Sequence, residues 1–206
     1  MKIAVVASNG KAAQKIISEA VKRGHDVTGF ARSENKSEVQ HFVKKDIMDI
    51  KKEDLKGFDA VVDAFGSPDP TGHSKTLKVL SDAVSGTDTR LLVVGGAGSM
   101  FTNKEHTQRV CDAPDFPDLF KPTAEGMGKS LDELRQRKDV KWTYISPAYD
   151  FVADGERTGK YLVGGEELMY NDKGVSSISY ADYAIGMVDE IEKGDHIQQR
   201  IEFIGA

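Results

Sequence analysis

Cysteine is almost missing from this sequence: Cys111 stands alone, so no intramolecular disulfide can form. Five scattered histidines add no closely spaced ligand set, and no metal site is expected. Both absences fit a reducing compartment, and the cytoplasm is the expected location. Long apolar runs are missing too. No stretch nears the ~18 uninterrupted apolar residues of a bilayer span, and the start, MKIAVVASNG, lacks the apolar core and cleavage site of a secretory signal. A basic surplus is also absent: 28 Lys and Arg face 33 Asp and Glu, a formal charge of −5 that works against a non-specific grip on nucleic acid. A soluble chain whose partner is a small molecule, not a nucleic acid or a membrane, is expected; the pattern sets no oligomeric state.

What is present is an alternation. Short runs rich in Val, Ile and Leu take turns with segments of helical period, the written form of repeated βαβ units. Strands are expected at Ile3–Val6, Asp26–Ala31, Phe42–Lys45, Asp59–Phe65, Arg90–Gly95, Val140–Ser146 and Arg200–Ile204. Helices are expected at Lys11–Arg23, closed by Gly24, at Thr76–Ser85, at Gly126–Arg137, and after Ser179, whose buried stripe would be Tyr183, Ala184, Met187, Val188 and Ile191. Right-handed crossovers then give an α/β fold, a doubly wound parallel, Rossmann-like sheet with helices on both faces. Residues 1–206 read as one domain. Within it, 147–178 forms a small substrate-side excursion, with a hairpin expected between Tyr161 and Ile178. The segment from Met100 to Pro122 holds three of the six prolines and reads as a long loop.

In such a sheet the ligand sits beyond the carboxyl ends of the strands, so those loops are where chemistry is expected. The first is Ala7-Ser8-Asn9-Gly10-Lys11-Ala12-Ala13, where amides and the positive end of a helix dipole converge on the place a diphosphate would occupy. Only Gly10 remains of a three-glycine phosphate loop, and a plain βα turn is the competing reading. After the second strand, where a fold using NAD usually places Asp or Glu, the chain has Arg32, with Lys36 one helical turn on if a helix begins near Ser33. That pair favours NADP(H) over NAD(H). The competing reading is a solvated basic pair beside Glu34 and Glu38. Asp46-Ile47, Ala64-Phe65-Gly66, Gly95-Gly96 and Pro147 line the same edge, although each glycine could equally serve a turn and Asp46 could cap a helix.

The segments MKIAVVASNGKAAQKIISEAVKRGHDVTGFAR, KKDIMD, DAVVDAFG, LLVVGGAGS, DAPDFP and SPAYDFVADGERTGKY together resemble the atypical short-chain dehydrogenases that bind NAD(P)H, the NADH-flavin reductase group. That group is similar in turn to NmrA-like proteins and biliverdin/flavin reductases. The resemblance covers nearly the whole chain and implies a Rossmann domain with nicotinamide near the fifth and sixth strand ends. It matches the family's Gly-Ala-Thr-Gly-x-Thr-Gly motif to Ala7 through Ala13, departing at both outer glycines and at Ala12. It implies that Arg32 and Lys36 are 2′-phosphate ligands and that Asp46-Ile47 contacts adenine.

An ordinary short-chain dehydrogenase needs Tyr-x-x-x-Lys to pass a proton to a carbonyl. None of the six tyrosines has Lys four residues later. Hydride transfer to FMN, FAD or another conjugated acceptor asks less, since the fold mainly has to stack and orient the rings. Ser99 is the polar candidate for a catalytic role, donating to the acceptor; the competing reading is a turn serine. Phe101, Phe116, Phe120, Tyr149 and Phe151 are candidates for walls around a planar substrate or for local packing. Two functions are therefore carried forward: an NADPH-dependent oxidoreductase passing hydride to flavin or a related acceptor, and an NADP(H)-binding sensor without turnover.

Overall fold

The computed structural model describes residues 1–206. Along the chain run β1 (Lys2–Val6), α1 (Lys11–Lys22), β2 (Asp26–Ala31), β3 (His41–Lys44), β4 (Ala60–Asp63), α2 (Pro70–Val84) and β5 (Arg90–Val94). There follow α3 (Lys121–Leu134), β6 (Lys141–Pro147), β7 (Asp150–Val152), β8 (Tyr161–Gly164), β9 (Ser177–Ser179), α4 (Tyr180–Lys193) and β10 (Gln199–Gly205). Apolar spacing explains α1, which buries Ala13, Ile16, Ile17 and Ala20 along one stripe. It ends because Gly24 takes φ of +81°, a conformation that side chains resist. At the start of α4 the Ser179 hydroxyl accepts from the Asp182 N–H at 3.0 Å, and the expected stripe from Tyr183 to Ile191 is buried.

Eight strands form one sheet in the order β3-β2-β1-β4-β5-β6-β10-β8, parallel throughout except for β8. Helices α1 and α4 cover one face, packing Ile16, Ile17, Tyr183 and Met187 over Ile3, Val5 and Val62. Helices α2 and α3 cover the other, with Leu77, Leu80, Leu131 and Leu134 over Val6, Val61, Leu91 and Trp142. The doubly wound α/β fold read from the sequence is the one observed. No helix is long and apolar enough to cross a membrane.

Four local expectations are corrected. Helix α2 begins at Pro70, six residues early, because Asp69 caps it through the Thr71 N–H at 2.9 Å and proline suits a first turn. Helix α3 likewise begins at Lys121, taking Pro122 into its first turn, and a Cβ at Gly126 would run into the Pro70 carbonyl where the two helices meet. No helix forms near Ser33; residues 33–40 are irregular. The hairpin is also absent. The Asn171–Gly174 turn does close, with the Gly174 N–H on the Asn171 carbonyl at 2.8 Å, but its flanks pair elsewhere. β8 runs antiparallel along the open edge of β10, where Tyr161 packs on Phe203, and β9 pairs in parallel with β7. The loop beyond Met100 is tied down: Phe101 donates its N–H to Glu166 and accepts from Leu168.

Candidate functional site

A cleft of about 960 Å³ opens beyond the carboxyl ends of the strands, at the point between β1 and β4 where strand order reverses. Of the expected residues it brings together Ala7, Asn9, Gly10, Lys11, Ala12, Arg32, Asp46, Ile47, Ala64, Phe65, Gly66 and Gly95. Ser8, Lys36, Gly96, Ser99 and Pro147 are not on its walls.

The β1–α1 loop inverts the usual arrangement of a glycine loop. Ala7 is the residue in the left-handed region, at φ of +59°, a conformation that costs an ordinary L-residue roughly 1–2 kcal/mol. Gly10 has φ of −66° and ψ of 152°, open to any residue, and donates its N–H to the Ala7 carbonyl at 3.0 Å. No side chain caps α1, which leaves the N–H groups of its first turn at Lys11 and Ala12, beside the cleft. Ser8 points elsewhere: it is fully buried against Gly29, where a Cβ would lie 2.9 Å from the Ser8 hydroxyl.

Asn9 does something that its position in the sequence does not announce. Its amide donates to the Ser33 hydroxyl at 3.1 Å and to the Glu34 carbonyl at 2.9 Å, while its side-chain oxygen accepts from the Lys36 N–H at 2.9 Å. The stretch after β2 is thereby tied to the β1–α1 loop by three bonds. Lys36, with its backbone held this way and no helix to turn it inward, is exposed and off the walls. Arg32 stays on the wall, 81% exposed, its nearest carboxylate being Asp46 at 3.9 Å. Asp46, on the cleft wall, also caps a short turn through the Met48 N–H at 2.9 Å. Lys45 joins the wall unforeseen, its Nζ 2.6 Å from Asp54, although its place in the Lys44-Lys45-Asp46 run was a signal. Lys11, Arg32, Lys45 and Lys75 line the cleft against Asp46 and Asp69, a basic excess in an acidic chain.

At the other end Val94, Gly95, Thr123, Met127, Phe151 and Tyr180 form the walls. A Cβ at Gly95 would strike the Tyr144 ring, so glycine is required there by packing. Tyr180 was missed because its only sequence mark is to follow a helix cap; its ring lies 4.1 Å from that of Phe151. His73 meets Phe65 edge-on at 5.3 Å, and burial holds its pKa below the ordinary value, so the neutral ring donates from Nε2 to the Ser67 carbonyl at 3.1 Å. Under this end Asp63 is 4% exposed; burial pushes its carboxyl up to about 6, against the pull of the Phe65 N–H. Ser99, the polar candidate, lies off this cleft: it is buried facing β10, where Arg200 donates to its hydroxyl and to its carbonyl, each at 3.2 Å. Pro147 is buried in the register of β6 with Phe203.

A cleft with uncapped amides and basic side chains at one end and apolar and aromatic walls at the other has the donor set for a dinucleotide. The model of a family described as NAD(P)H-binding matches residues 8–191. The chain belongs to this family. The uncharacterized protein YwnB of Bacillus subtilis is 42% identical to this NAD(P)H-binding chain over 212 residues, spanning 99% of it and 98% of YwnB. The crystal structure of a putative NADH-flavin reductase from Streptococcus pneumoniae superposes with a TM-score of 0.98 at 52% identity, covering 100% of both chains. That of a putative epimerase from Bacteroides thetaiotaomicron does so with a TM-score of 0.87 at 31% identity, covering 99% of this chain and 96% of the other.

Two measurements follow from this geometry. Ala7→Gly relieves roughly 1–2 kcal/mol of left-handed strain but adds about 0.5–1 kcal/mol of unfolded-chain freedom. A net gain of about 0.5–1 kcal/mol in chemical denaturation is expected; a loss would contradict the strain. Asp63 has a folded pKa above its ordinary 3.8, so ionising it opposes folding: stability falls as pH rises from 3.8 through about 6, then levels. Asp63→Asn keeps the acceptor for Phe65, and should abolish that fall and add about 1–3 kcal/mol near pH 7. Denaturation curves of both proteins across this range check it, and parallel curves would refute it.

Proposed function

We propose that this chain is an NADPH-dependent reductase that passes hydride to a flavin or a related conjugated acceptor. The observation that carries the cofactor choice is Arg32 at the end of β2, on the cleft wall and with no carboxylate closer than 3.9 Å. A guanidinium there gives a 2′-phosphate a charge-assisted partner, where an NAD enzyme needs an acid for the bare ribose. Lys45 adds a second cation on the same wall. The first-turn amides of α1 would hold the diphosphate, and Asn9 would keep Arg32 and Ser33 in place by pinning the chain beside them. Met127, Phe151 and Tyr180 would flank the nicotinamide and exclude water.

When bound, the dihydronicotinamide supplies a hydride from C4, and water supplies the proton that balances the two-electron reduction of the acceptor. The chain has no Tyr-x-x-x-Lys pair, and the buried His73 ring donates to Ser67. Both facts support an acceptor whose reduction asks for orientation instead of a dedicated protein acid. The name borne by the Streptococcus pneumoniae structure supports the same acceptor class. Such a reductase works in the cytoplasm, which suits a single, buried cysteine.

Calorimetry of NADPH and NADH with the wild type and Arg32→Ala tests the cofactor. The variant should lose about 1.5–3 kcal/mol of NADPH affinity, roughly ten- to a hundredfold, and far less for NADH. Equal losses would mean that Arg32 does not meet the 2′-phosphate. NADPH absorbance followed with FMN, FAD and a quinone tests turnover; tight binding with no oxidation by any acceptor would make the chain a sensor of NADP(H).

A further inference from the structure

A second cleft, of about 350 Å³, lies between the 102–116 segment, Tyr149 and the 168–176 segment. Its walls are fixed by backbone: Tyr149 donates its N–H to the Ser176 hydroxyl at 3.1 Å, and Leu168 donates its N–H to the Phe101 carbonyl at 2.9 Å. Tyr149 and Tyr170 are 51% and 62% exposed and line it together with Phe116. Large aromatic side chains left half in water around one concavity are a surface that a flat ligand would cover.

The two clefts draw on the same stretches of chain. Phe151 lines the first and Tyr149, two residues earlier, lines the second. Gly98 presses on Ala124 so closely that a Cβ would sit 2.5 Å from the Ala124 methyl and 3.7 Å from the Phe116 ring. Thr123, next in sequence to Ala124, belongs to the first cleft. Packing of Gly98 therefore links Phe116 of the second cleft to the start of α3, which carries Thr123 of the first.

Charge and size then choose the ligand. The first cleft has four basic side chains, whereas the second has none among its nine wall residues, and its one charged group is the carboxylate of Asp115. A phosphate would find no cationic partner there and one repelling neighbour. The volume lies near the lower end of the roughly 300–1,000 Å³ usual for ligand sites, enough for fused rings, with a longer tail left to the solvent beside Asp115.

We propose that the second cleft binds an uncharged conjugated compound of two or three fused rings, held between Tyr149, Tyr170 and Phe116, and that it discriminates against phosphorylated forms of the same ring. The assignment rests on the reductase reading for what happens to the ring, and on the cleft alone for its binding.

Lumiflavin and FMN share one ring system and differ in the ribityl phosphate, so titrating each with the full chain, without nicotinamide, and following flavin fluorescence isolates the tail. Lumiflavin should bind about tenfold or more tighter than FMN. Tyr149→Ala and Tyr170→Ala should each weaken lumiflavin about three- to tenfold while leaving the calorimetric affinity for NADPH unchanged. Asp115→Lys should narrow the gap between the two flavins. FMN binding as tightly as lumiflavin, or tyrosine variants that bind lumiflavin like the wild type, would overturn the proposal. Lumiflavin binding with the expected variant losses in a protein that takes up neither NADPH nor NADH would uphold this site and refute the reductase reading instead.

Discussion

Parallel neighbours can be joined only by a chain that leaves the sheet and returns, and the return is right-handed. From β1 the chain steps outward to β2 and β3, and it then has to pass back across β1 to begin β4 on the other side. Helix α1 packs on one face of the sheet and α2 on the other. The loops after β1 and β4 consequently leave in opposite directions, and a gap between them follows from the topology itself. Everything assigned to the cofactor hangs on that gap: the uncapped start of α1 on one side, the Ala64-Phe65-Gly66 turn on the other, and the ends of β2 and β5 beyond them.

Around that gap the charges are sorted. The chain carries an excess of acid, yet four cations line the cleft against two carboxylates, so an anionic ligand meets a local field opposite to that of the whole molecule. Elsewhere two buried arginines are spent on structure. Arg200, almost wholly buried, spans Ser99 and Glu166, and Arg90 is locked to Glu190 at 2.7 Å. What distinguishes Arg32 is therefore its exposure on the wall with only a loose partner at 3.9 Å, since a guanidinium committed to a close bidentate pair would have little left to offer a phosphate.

The parts of this arrangement legible in the sequence are those set by short-range pattern. Alternation of Val-rich runs with helical stripes gave strands within a residue or two at β2, β5 and β6, and the Ser179 cap with its stripe placed α4. What escaped depended on contacts distant in sequence. The early starts of α2 and α3 look unfavourable from Pro70 and Pro122, but prolines suit a first turn, and the pair is fixed by Gly126 lying against Pro70. The destination of β8 was set by the free edge of β10, some 40 residues onward in the chain, and by Phe203 beneath Tyr161. At the site, strand-end residues were found because strand ends were found. That Ser99 turns away from the cleft depends on Arg200, a contact no local pattern shows, and Tyr180 was overlooked because the fold alone carries the start of α4 to the cleft.

The glycine-poor loop shows how a motif can lose its residues and keep its shape. Ala7 holds the left-handed conformation that the first glycine of such a loop would take freely, at roughly 1–2 kcal/mol. Two contacts oppose relaxation: Ser8 is wedged against Gly29 with its N–H on the Phe30 carbonyl at 3.0 Å, and Asn9 makes three bonds to residues 33–36. At about 0.5–1.5 kcal/mol net for each hydrogen bond, the Asn9 clamp is of the same size as the strain and is enough, with the Ser8 contact, to offset it. The same bonds set the chain that follows Arg32, so the force that keeps Ala7 in its unfavourable conformation also orients the cation at the far end of the cleft. The β1–α1 loop and the residues after β2 are in this way one mechanical unit, joined by an asparagine amide in place of the permissiveness of glycine.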